Sequence, residues 1–62
     1  MSRYDYEISK QFSGAPFYAL VMAAMRGADS TNVVKLASAF PETWDELQAR
    51  YNAPEGRLNG DQ

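Results

Sequence analysis

The chain has 62 residues, with six Lys and Arg against eight Asp and Glu, a formal charge of −2, and neither His nor Cys. That excludes a disulfide framework, a Cys/His zinc site, a thiol nucleophile and a His-centred triad, so no cofactor and no metal are expected. The mild acidity argues against a binder of long DNA or RNA, yet two or three cations suffice to hold a small anion. Residues 1–12 are polar and carry both charge signs, unlike a signal peptide. The longest mainly apolar stretch, residues 15–25, spans 11 positions where a membrane helix needs roughly 20, so no membrane partner is expected.

Size permits one domain over residues 1–62. A chain this short buries roughly 60% of its unfolded surface. The resulting apolar burial contributes on the order of 90 kcal/mol, and ordering the chain costs about the same. A monomer is therefore marginal. With no disulfide or metal available, self-association is the remaining source of stability.

In residues 1–12, Tyr4, Tyr6 and Ile8 alternate with Arg3, Asp5, Glu7 and Ser9, a period of two that predicts an extended N-terminal arm. Ser13 and Pro16 then suit a helix start, and a first helix is expected over 13–26. Phe17, Leu20, Val21, Ala24 and Met25 make its apolar stripe, which Tyr18, Ala19, Met22 and Ala23 widen almost to the full circumference. Two further short helices can hardly cover such a surface, so its wide apolar face is the expected contact between copies of a homo-oligomer. Gly27 ends this helix, and Asp29 or Ser30 caps a second over 30–40, with Val33, Leu36, Ala37 and Phe40 inward. Pro41 opens a third over 41–52, striped by Trp44, Leu47 and Tyr51. Residues 53–62 read as a flexible tail. The expected fold is all-α: a small three-helix domain with an extended N-terminal arm, homo-oligomeric.

Little in this pattern suits catalysis. Asp29 is explained as a cap, and Glu42, Asp45 and Glu46 favour a helix N-terminus, so no carboxylate pair stands out and no enzyme is expected. Neither GxxxxGK[ST] nor GxGxxG is present. The aromatic residues say more. Phe17, Phe40 and Trp44 fall on core stripes, whereas Tyr4, Tyr6 and Tyr18 fit a core less easily and offer faces for a base or a protein partner. Arg26 and Arg50 sit where positive charge suits a helix C-terminus, with or without a ligand. Arg50, Tyr51 and Asn52 combine a guanidinium fork, a stacking ring and an amide able to read a base edge. Asn32 and Lys35 lie along the second helix.

Residues 17–56 follow the pattern AAMR-x-AD-x-x-N-x-x-KL-x-x-AFPE-x-W-x-EL-x-ARYNAP-x-G, matched at 23–26, Ala28, Asp29, Asn32, Lys35, Leu36, 39–42, Trp44, Glu46, Leu47, 49–54 and Gly56. On these positions, within a run that covers about two-thirds of the chain, it resembles a widespread set of short phage-encoded helical proteins. At the variable position between Pro54 and Gly56 the resemblance leads one to expect a glycine, and this chain has Glu55, so the turn after Pro54 is expected to differ. The resemblance implies an accessory protein that blunts host immunity. One such class comprises oligomeric helical sponges that sequester the cyclic-nucleotide signals of a host's cyclic-oligonucleotide defence (anti-CBASS proteins).

Read this way, the chain is a phage immune-evasion protein in the cytoplasm of an infected bacterium, binding a cyclic di- or oligonucleotide without cleaving it. Tyr4, Tyr6 and Tyr18 would cover or stack on bases. Arg26, Lys35 and Arg50 would neutralise phosphates, and Asn32 or Asn52 would read base edges beside Tyr51. A protein-binding inhibitor or adaptor acting on a host defence protein is the alternative, through the acidic third helix or the wide apolar face. A phage structural or assembly factor is a third possibility.

Overall fold

A computed structural model describes residues 2–61; Met1 and Gln62, the two ends of the domain expected over 1–62, lie outside the described residues. The fold is all-helical. Helices α1 (Arg3–Phe12), α2 (Phe17–Gly27), α3 (Ser30–Ala39) and α4 (Pro41–Tyr51) are followed by a single 3-10 turn, Pro54–Gly56, with no strand among the described residues.

The first correction concerns the arm, which is the helix α1. Ser2 and Asp5 form a reciprocal capping box: the Asp5 amide donates to Ser2 Oγ at 3.1 Å, and the Ser2 amide donates to an Asp5 carboxylate oxygen at 3.0 Å. Lys10 pairs with Glu7 at 3.3 Å and lies 4.9 Å from the centre of the Tyr6 ring. Tyr4, Ile8 and Phe12, spaced four apart, therefore share a helical face rather than alternating across a strand. No residue of α1 is buried, and Ile8 alone in it is half-covered.

The first expected helix begins later than position 13. Ser13 closes α1, its hydroxyl donating to the Lys10 carbonyl at 2.9 Å, and the Ala15 amide donates to the Phe12 carbonyl at 3.0 Å. Ala15 precedes a proline, which disfavours helical backbone there, and Pro16 is extended with ψ at 147°. Gly27 lies inside α2 as its last residue, and the chain leaves the helix at extended Ala28. The other boundaries fall within one residue of expectation. Asp29 caps α3 by accepting from the Asn32 amide at 2.8 Å, and Pro41 occupies the first turn of α4.

Helices α2, α3 and α4 pack against one another pairwise around Val21, Met25 and Leu47, with Met22, Leu36, Phe40 and Trp44 leaning on that cluster. Phe17 meets Phe40 edge-on, ring centres 5.9 Å apart. With so small a core and α1 outside it, the molecule measures 41 × 26 × 17 Å. Its radius of gyration is 13.2 Å, against about 10.6 Å for a compact chain of this length.

The second correction concerns residues 53–62. Through Asp61 they are folded back onto α4 rather than left free. Arg50 Nη1 and Nη2 donate to the two Asp61 carboxylate oxygens at 2.7 and 3.0 Å, and Nη1 also donates to the Gly56 carbonyl at 2.8 Å. The turn at Pro54–Gly56 makes this return possible. Glu55 and Gly56 both have left-handed backbone, with φ of 57° and 68°.

Candidate functional site

An open cleft of about 860 Å³ lies where α1 diverges from the corner of α2 and α3. Ile8, Ala24, Gly27, Ala28 and Leu36 supply its apolar or small walls, and Asp5, Ser9, Asn32 and Lys35 its polar groups. The small side chains at the end of α2 let a ligand approach the helix closely. Asn32 is held in the first turn of α3 because Asp29 caps that turn through its backbone amide, which leaves its side-chain amide without a partner among the described residues. Lys35 follows one turn later and is exposed, with no ion pair among the described residues. This cleft brings together two of the expected site residues, Asn32 and Lys35.

The other candidates are distributed elsewhere. Arg26 and Tyr51 share a smaller groove of about 180 Å³ between α2 and α4 with Met25, Trp44, Leu47 and Gln48. Tyr18 borders an acidic groove of about 350 Å³ with Met22, Glu42, Thr43 and Glu46. Tyr4 and Tyr6 stand on α1, 72% and 62% exposed. Tyr18 also stacks edge-on against Phe17 at 5.0 Å, so an aromatic neighbour already occupies part of its surface. The nine residues thus do not converge on one site within a single copy.

Arg50 and Asn52 have partners within the chain. Four of the five guanidinium N–H groups of Arg50 are engaged, by Glu46 at 3.3 Å, by Gly56 and by Asp61. These bonds, those to Asp61 first, raise the Arg50 pKa above its ordinary value. In turn Arg50, helped by the Leu58 amide, lowers the Asp61 carboxyl to about 2. Because the folded value lies below the unfolded one, the pair's contribution is present above about pH 4 and lost as pH falls through about 2. Asn52 ends α4, and its side-chain amide donates to the Gln48 carbonyl at 3.0 Å.

Sequence reasoning overlooked as groove residues Trp44, which it placed on the apolar stripe of the third helix, and Gln48, a polar residue that no pattern singles out. It also overlooked Asp5 and Ser9, which reach the cleft only because residues 3–12 are helical. Among the described residues no group of three or more acidic side chains could hold a metal ion, and no helix is long and apolar enough to cross a membrane. No protein-family model matches the chain, and neither does any curated protein or solved structure.

Proposed function

We propose that this chain is a non-enzymatic immune-evasion protein of a phage that sequesters a host cyclic di- or oligonucleotide in the cytoplasm of the infected cell. The observation that carries the reading is the cleft beside α3. Its volume of about 860 Å³ falls within the range of small-molecule sites. Lys35 there offers an unpaired cation for a phosphate, Asn32 offers donor and acceptor groups for a base edge, and Ala24, Gly27 and Ala28 leave space for a flat ring. The pattern over residues 17–56 supports the same reading.

Homo-oligomerisation belongs to the proposal. The accessible surface is 5,315 Å², whereas a compact monomer of 6.9 kDa would expose about 4,000 Å². The excess is of the order that a standard interface removes from each partner, about 800 Å². Ala19, Ala23 and Ala24 on α2 are exposed beside Phe17 and Tyr18, which supports the wide apolar face of α2 as the contact between copies.

The reading is tested by incubating the purified protein with cyclic dinucleotides, removing free ligand by dialysis, and heating the complex to release what was held. The nucleotide is expected back intact. Recovery of a linear product would refute sequestration without cleavage. The acidic groove under Tyr18 favours a second reading, an adaptor or inhibitor that receives a basic segment of a host defence protein. Retention of one host protein, unaffected by added nucleotide, would favour it.

A further inference from the structure

Arg50 receives Asp61 through two parallel N–H···O bonds of 2.7 and 3.0 Å, the geometry in which a guanidinium also receives phosphate. We propose that Asp61 is an internal competitor occupying a phosphate site at Arg50, and that a phosphate-bearing ligand displaces it, releasing residues 57–61. The proposal concerns the regulation of one residue of the reading above, but it requires only a phosphate group.

Three observations make the latch easy to open. Arg50 and Asp61 are each about a third exposed, 32% and 31% for their side chains, and ion pairs at that exposure contribute little to stability. The segment they close buries no side chain fully; only Leu58 in 57–61 is half-covered. Closure also requires Glu55, a residue with a side chain, to hold left-handed backbone at φ 57°, a conformation that release would relieve.

Opening would leave a coherent anion site. Arg57, carried on the segment that lets go, would become free to turn toward the bound phosphate. Arg57 is engaged only by a 3.7 Å contact with Glu55. Glu46 remains at 3.3 Å from Arg50 Nε and the Gly56 carbonyl at 2.8 Å from Nη1, which leaves Nη2 and one hydrogen of Nη1 for the phosphate. Since Asp61 is ionised at neutral pH, the exchange is of one anion for another and requires no proton transfer.

The latch has a specific reporter, the Asp61 carboxylate, which accepts from Arg50 Nη1 and Nη2 at 2.7 and 3.0 Å only while the segment is closed, whereas its bond from the Leu58 amide is local to residues 58–61. We would titrate the intact chain with inorganic phosphate and pyrophosphate, following the Asp61 side-chain carboxyl carbon and the Arg50 Nη–H groups by NMR. Both sets of resonances are expected to move. Asp61→Asn should tighten phosphate binding about fivefold, the scale of one exposed ion pair. Asp45→Asn, the same charge change on α4 away from Arg50, should not. Asp61 lies outside every helix, so helical circular dichroism reports that the variant remains folded. An Asp61 carboxyl carbon unmoved at saturating phosphate would overturn the proposal, as would equal gains from both variants. A parallel titration with cyclic dinucleotides separates the two claims. A phosphate response without a cyclic-nucleotide response would keep the latch and remove the sequestering reading.

Discussion

At Glu55 the local backbone and the residue type disagree. Left-handed backbone costs a residue with a Cβ roughly 1–2 kcal/mol, and glycine there costs roughly 0.5–1 kcal/mol of extra unfolded-state entropy. Glu55→Gly should therefore stabilise the chain by up to about 1 kcal/mol, read as a higher denaturant midpoint at unchanged slope. A lower midpoint would mean that the Glu55 side chain contributes more than its backbone costs. Arg50 illustrates the limit of residue-level reading. Its guanidinium, taken alone, suits a ligand, and the structure gives it four hydrogen bonds to three partners within the chain. The opposite charge on Asp61 and the intervening Pro54, Gly56 and Gly60 were a readable sign of a return of the chain. Without the turn geometry, however, an 11-residue separation does not single out that acid.

At the scale of the element, α2, α3 and α4 were legible because two signals agree in each, an apolar stripe and a cap or proline at the boundary. Asp29 before α3 and Pro41 opening α4 are such cases. Residues 3–12 were not, because Tyr4, Tyr6 and Ile8 satisfy a strand period while Tyr4, Ile8 and Phe12 satisfy a helical one. What decides between them is the Ser2–Asp5 capping box together with the Glu7–Lys10 pair, local interactions that a two-residue period ignores. One wall of the candidate cleft depended on that decision, since Asp5, Ile8 and Ser9 line it from α1. A cap substitution tests how much the box contributes. Ser2→Ala should destabilise α1 by about 1 kcal/mol, seen as faster amide exchange over residues 3–12. Because no α1 residue is buried, exchange in α2 and α4 should stay as it was. Uniform loosening of all four helices would show that α1 supports the core.

For the whole molecule, the surface left uncovered is the dominant fact. Three buried apolar residues hold the helices together while Phe12, Phe17, Tyr18 and Val34 remain more than half exposed. A second copy is the partner that this account supplies. Sedimentation at micromolar concentration should give a mass that is a multiple of 6.9 kDa. Ala23→Glu, which places a charge on the exposed face of α2, should shift it toward the monomer. A 6.9 kDa species for the unaltered chain would contradict the proposed assembly.

Sequestration of a cyclic nucleotide is the central claim, and thermal unfolding against a panel of cyclic di- and trinucleotides, with linear nucleotides as controls, tests it most directly. A ligand at 100 times its dissociation constant adds about 2.7 kcal/mol. For a domain of this size that raises the midpoint by roughly 10–20 °C. The account expects such a rise for at least one cyclic member and none for its linear counterpart. An unchanged midpoint across the whole panel would contradict it and transfer the cleft to a protein partner.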